Sequence, residues 1–211
     1  MEIIYVTNIS KTFNDRVLFD KLSYVFSPGL YHLKGENGSG KSVLLKMLAG
    51  IDHSYDGLIE GITDKEILLL DHHGIGVPFL SIRDNIALAA YLCGCPFSVE
   101  KCPTNLYSNE KRYLMEQYVS SSIGNQMKVG LSLLFLPIKW TLILLDEAMN
   151  GIDQISQAMI FQKLLEITKT SDAIIIIVSH TDQAQKFLQA ELRIINLVDL
   201  KCGRCDLDEK K

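Results

Sequence analysis

Eight consecutive residues, Gly35-Glu36-Asn37-Gly38-Ser39-Gly40-Lys41-Ser42, follow the spacing G-x-x-x-x-G-K-[ST] in full. Backbone N–H groups can converge on an anion only where side chains do not block them, which is what the glycines allow. A helix opening at Ser42 adds the positive end of its dipole. Gly35, Asn37, Gly38, Ser39, Gly40, Lys41, Ser42 and Val43 are therefore expected to line a triphosphate site. Lys41 would reach the β- and γ-phosphates and the Ser42 hydroxyl would ligate Mg²⁺. A second candidate is Leu142-Ile143-Leu144-Leu145-Asp146-Glu147, an apolar run ending in two adjacent carboxylates. Such a strand delivers both acids to the carboxyl edge of a sheet, where ligands of open α/β folds bind. Asp146 suits Mg²⁺, and Glu147 suits a general base acting on water.

Those residues need a scaffold of strands and helices. Glu2 to Val6, Val17 to Phe19 and Ser23 to Phe26 read as strands closed by the turn Pro28-Gly29, so an antiparallel sheet opens the fold. Leu30 to Lys34 is a further strand feeding the glycine loop and the helix Ser42 to Ala49, which Gly50 ends. Tyr55-Asp56-Gly57 turns into another short strand, and Ile67 to Leu70 has the all-apolar character of a strand covered on both faces. Ser81, with Asp84 three residues on, opens a helix Ile82 to Leu92; Ser108 opens a helical stretch through Tyr118. Beyond it Leu142 to Leu145, Ile174 to Val178 and Leu192 to Leu197 are apolar strands separated by helical segments. That alternation builds a parallel sheet. The fold class expected is α/β, with a mixed or parallel sheet.

Composition narrows the function classes. With 211 residues the chain holds one domain with a buried core, 1–211, and is too short for two such units in tandem. No apolar stretch approaches the roughly 20 residues a membrane-spanning helix needs. The N-terminus lacks a basic flank before an apolar core, so no export signal is read. A formal net charge of -4 gives no electrostatic reason to expect nucleic acid. Five cysteines, an odd number, are expected as reduced cytosolic thiols. The pair Cys202 and Cys205 and the trio Cys93, Cys95 and Cys102 lack the paired spacings of a structural zinc site.

In motif order and spacing the chain resembles the ATP-binding cassette family along nearly its whole length. The resemblance implies a P-loop core with an N-terminal antiparallel β portion and a small helical subdomain at about 81–136. It implies ATP and Mg²⁺ as ligands. Lys11-Thr12-Phe13 lies where the family places an aromatic residue against adenine, which makes Phe13 the stacking residue. His180, after Ser179, matches the family's switch histidine, which bonds the γ-phosphate and the catalytic water. Ser121-Ser122-Ile123-Gly124-Asn125 aligns with the family's LSGGQ signature, matching at Ser122 and Gly124; that element meets the γ-phosphate held by an opposite subunit. His73, with His72 beside it, stands nearest the family's Mg²⁺-sensing glutamine, and an imidazole could accept that metal or water contact. Asp153, in Asn150-Gly151-Ile152-Asp153, matches the acidic end of the loop that crosses the dimer interface. Ala148 replaces the usual proline.

What the resemblance implies for function is an ATPase subunit that pairs with a second cassette, identical or not, and powers a separate membrane permease from the cytoplasmic face. The short helical insertion looks most like exporters, including the small haem-exporter type. Two alternatives stay open: a non-transport cassette such as an iron–sulfur assembly ATPase, and a degenerate cassette that binds ATP and regulates a partner, suggested by the altered signature.

Overall fold

Strands β6 (Leu142–Asp146) and β7 (Ile174–Val178) are buried at every residue, which is why both read as unbroken apolar runs. They form the centre of a five-stranded parallel sheet of order β5-β6-β7-β3-β8, with β5 (Ile67–Leu70), β3 (Gly29–Lys34) and β8 (Leu192–Asn196). This architecture comes from a computed structural model that describes residues 3–13, 16–62, 66–95, 104–107, 111–179, 187–188 and 191–201. The alternation of side chains along each strand divides the core in two. Ile143, Leu145, Ile175 and Ile177 face helix α5 (Gln154–Thr170) and the helical segments, packing with Phe161 and Leu164. Leu142, Leu144, Ile174 and Ile176 face the other way, toward Leu44 and Leu48 of helix α1 (Lys41–Leu48) and Ile9 and Phe19 of a second sheet.

That second sheet is antiparallel, of order β2-β1-β4, from β1 (Ile4–Phe13), β2 (Arg16–Phe26) and β4 (Asp56–Glu60). Two short strands were expected over 17–26, and the structure has one. The polar Asp20-Lys21 pair interrupts the apolar runs, but it sits at irregularities of the ladder. Lys21 and Asn8 both have positive φ, and their N–H groups donate to Ser10 Oγ at 3.1 Å and Ser23 Oγ at 2.9 Å. Side-chain acceptors thus carry the strand through a bulge that would otherwise leave donors unmet.

Between β5 and β6 the described chain is helical, as expected. Helix α2 (Ile82–Leu92) is capped by Ser81, whose Oγ accepts from Asp84 N at 3.0 Å. The stretch expected to run as one helix through Tyr118 does not. Helix α3 is only Lys111–Met115, and Gln117 is extended because it bridges Ser81; Tyr118 N–H donates to Leu80 O at 2.9 Å. Tertiary hydrogen bonding to the start of α2 overrides local helix preference there. Ser108 lies outside the described residues. Helix α4 (Ile123–Leu131) follows, then a 3-10 turn, Ser132–Phe135, that ends at extended Leu136 before Pro137.

Candidate functional site

Strand β3 runs straight into the glycine loop, and the loop into α1, so the sheet edge and a helix N-terminus meet at residues 35–41. Gly40 holds the position before the helix at φ 105, a left-handed conformation, and a Cβ there would lie 2.9 Å from Cζ of Phe19. No side chain caps α1. Its first N–H groups are therefore left for an anion in the loop. Lys41 is only 8% exposed and bends back over the loop, donating to Gly35 O at 2.8 Å and Glu36 O at 2.9 Å. The ammonium thus closes the same loop whose amides would receive phosphate.

Strand β6 delivers the two acids. Glu147, at φ 56, turns the chain out of the sheet while its N–H still donates to Val178 O at 3.0 Å; Asn150 Nδ2 holds its Oε2 at 3.0 Å. Asp146 is 4% exposed, and its carboxylate accepts no hydrogen bond from any described residue. A nearly buried carboxylate without a donor calls for a cation. The Asp146 carboxylate and the Ser42 hydroxyl are hard oxygen donors of the kind that would suit Mg²⁺, so the residue types present fit that ion.

A cavity of about 560 Å³ brings together Phe13, Asn37, Gly38, Gly40, Lys41, Ser42, Val43 and Glu147. Phe13, at the end of β1, is 60% exposed and available for stacking on a flat ligand. Gly35, Ser39 and Asp146 are not among the residues that line the cavity. Arg16 and Leu18 of β2 do line it, and sequence reading missed both. The available cue was the register of a hairpin closing on Phe13, which pairs directly with Arg16.

Ser122, Gly124 and Asp153 form a separate cluster. Ser122 caps α4, accepting from Asn125 N at 3.2 Å. Gly124 lets α4 rest on the loop after β6, for a Cβ there would lie 2.5 Å from Gly151 O. Asp153 caps α5, accepting from Ser156 N at 2.9 Å, and pairs with Lys128 Nζ at 2.7 Å. Burial pushes the Asp153 carboxyl up, but the Lys128 ammonium and the Ser156 donors outweigh it and lower the pKa to about 2. Gln157 braces the same loop through Nε2, which donates to Ile152 O at 2.9 Å.

His73 is exposed, its ring tilted against that of His72 with centroids 3.9 Å apart, and does not line the cavity. His180 lies outside the described residues; its neighbour Ser179 is engaged through its carbonyl by His32 Nε2 at 3.2 Å. Cys93 is exposed and Cys95 buried, and the other three cysteines are outside the described residues. A cleft of about 620 Å³ along Lys139–Thr141 and Thr168–Ala173 is at the opposite edge of the sheet. The hydroxyls of Thr168, Thr170 and Ser171 there are already turned onto helix carbonyls.

Among the described residues no helix is long and apolar enough to cross a membrane. The model of the ABC transporter family matches residues 19–150. A cytochrome c biogenesis ATP-binding export protein of Legionella pneumophila is 30% identical over 189 residues, 84% of this chain and 92% of that protein. A tungstate uptake system ATP-binding protein of Peptoclostridium acidaminophilum is 28% identical, over 95% of each chain. An aliphatic sulfonates import ATP-binding protein of Bacillus subtilis is 28% identical over 84% of this chain and 72% of its own length. In fold, the chain matches a putative ABC transporter ATP-binding protein from Pyrococcus furiosus with a TM-score of 0.74 at 22% identity, covering 93% of this chain and 98% of that one. A glycine loop running into a helix, an acidic strand end and a family match spanning over half the sequence agree: the chain belongs to the ABC transporter family, whose ATP-binding subunits are ATP-hydrolysing P-loop enzymes.

Proposed function

We propose that this chain binds MgATP in the 560 Å³ cavity and hydrolyses it to drive a separate membrane permease, working as one of two paired cassettes. The observation that carries the reading is the single cavity uniting an exposed aromatic ring, the triphosphate loop and the Glu147 carboxylate. Phe13 stacks on adenine, residues 35–42 wrap the phosphates, and Lys41 leaves its two loop carbonyls for the β- and γ-oxygens. Ser42 and Asp146 hold Mg²⁺, which when bound offsets phosphate charge. Glu147 takes a proton from a water attacking the γ-phosphorus in line. The bond to the β–γ bridging oxygen breaks, and ADP and inorganic phosphate result. His180 assists that water.

Ser122 and Gly124 at the start of α4 present the helix end to nucleotide held by the second cassette, with Asp153 at the crossing. Relatives from import and export systems match the chain at similar identity, which supports a motor common to both; the direction of transport is set by the membrane subunit.

Phosphate release and MgATP affinity of the purified chain test the chemistry. Glu147→Gln retains affinity and loses roughly 10²- to 10⁴-fold in turnover, the usual worth of a general base; Lys41→Ala loses affinity. Equal turnover in Glu147→Gln and the unaltered chain overturns the catalytic assignment. For transport, the tagged chain is expected to retain a polytopic membrane protein from detergent-solubilised cells; retention of a soluble assembly scaffold instead overturns that part.

A further inference from the structure

Arg16 is the one charge lining the nucleotide cavity to which sequence reading assigned no task. It stands directly across the β1–β2 pair from Phe13. Directly opposed residues of an antiparallel pair project from the same face, so the aromatic ring and the guanidinium leave the hairpin together. The guanidinium reaches over the glycine loop: its Nη1 would be 3.9 Å from a Cβ placed on Gly38. Its side chain makes no hydrogen bond or ion pair with any described residue. By contrast Arg193 donates to Ser27 Oγ and Tyr31 OH, and Lys128 and Lys11 are paired with Asp153 and Asp52. Arg16 therefore keeps its whole fork of donors for a ligand.

Charge decides what kind of ligand. Among the side chains lining the cavity, Lys41 and Glu147 cancel, and Arg16 alone leaves the lining net positive. MgATP arrives as an anion, and planar N–H forks match phosphate oxygens bidentately. We infer that Arg16 is a second cationic contact for the phosphate chain of the nucleotide, closing over Gly38 from the hairpin that also carries the base platform. This deepens the MgATP reading and rests on it. The hairpin then measures two parts of one ligand, the base with Phe13 and the number of phosphates with Arg16. Stacking of Arg16 on the base beside Phe13 is the rival geometry, and it makes no distinction between phosphate numbers.

The test is calorimetric titration of the full chain and of Arg16→Ala, Arg16→Lys and Lys41→Ala with MgATP, MgADP and AMP, with far-ultraviolet circular dichroism to confirm the fold of each. Arg16→Ala is expected to weaken MgATP about tenfold, the worth of a partly exposed charge-assisted bond, MgADP less, and AMP by no more than about twofold. Arg16→Lys recovers only part, because a point charge replaces a fork. A loss equal for AMP and MgATP, or MgATP affinity within about twofold of the unaltered chain while Lys41→Ala is impaired, overturns the assignment of Arg16 alone. Unchanged affinity in Lys41→Ala as well overturns the MgATP reading beneath it.

Discussion

Lys128 Nζ lies 2.7 Å from Asp153 Oδ2, joining helix α4 to the cap of helix α5 across 25 positions of sequence. Lys128 is nearly buried, 5.6 Å from the centroid of the Tyr107 ring, while Asp153 is 46% exposed. The pair sits beside the contact between Gly124 and Gly151. The start of α4 and the loop that follows Glu147 are thereby held as one unit, so whatever meets Ser122 and Gly124 also bears on the strand end that carries Glu147.

The pair sets an acid limb of stability. Burial of the Asp153 carboxyl is outweighed by the Lys128 ammonium and the Ser156 donors, which lower its pKa from the ordinary value of 3.8 to about 2 in the folded chain. A lowered folded value stabilises above the unfolded pKa, and that contribution is lost as pH falls through the folded one. Asp153→Asn, which keeps a capping side chain, should therefore cost on the order of 1 kcal/mol at pH 7 once the exposure of the carboxylate is discounted. In urea melts the gap between variant and unaltered chain should narrow from about pH 4 downward. A gap constant from pH 7 to pH 2.5 would refute the coupling.

Gly40 is the sharpest test of the loop's backbone. Alanine there must adopt φ 105 and place its Cβ 2.9 Å from the Phe19 ring. Gly40→Ala is expected to lower stability by about 1–3 kcal/mol and to weaken MgATP binding with it. Adding Phe19→Leu removes the ring contact but not the strained φ, so denaturation of the double variant should show partial recovery only. Full recovery would mean that crowding alone was responsible.

Phe13 is exposed, so its removal leaves the fold intact. Phe13→Ala should weaken nucleotide by about 1–3 kcal/mol, the usual worth of stacking one base on an aromatic side chain. The loss should be equal for AMP and MgATP, and Phe13→Trp should restore both. A loss confined to MgATP would place the ring away from the base.

Much of this was legible in the residues themselves. The loop 35–42 and the acids after Leu142–Leu145 are contiguous stretches whose spacing points to their chemistry, and Ser81, with Asp84 three residues on, marks the start of α2. Where reading along the chain failed, a contact from elsewhere had intervened. Two strands were expected where β2 runs through a bulge, because Ser10 and Ser23 each supply an acceptor across the β1–β2 ladder. A helix was expected through Tyr118 where Leu80 takes its N–H instead.

The sequence by itself determined the glycine loop between a strand and a helix, the paired acids at a strand end, the alternation of strands and helices, and the family. Each depends on backbone conformation or side-chain type over a few consecutive residues, and local rules reach that far. Only the tertiary structure set Arg16 opposite Phe13, Lys128 on Asp153, Gly124 on Gly151 and His73 outside the cavity. Those juxtapositions follow from strand register and from how separate elements pack, and one residue of slip in a strand moves every side chain to the other face.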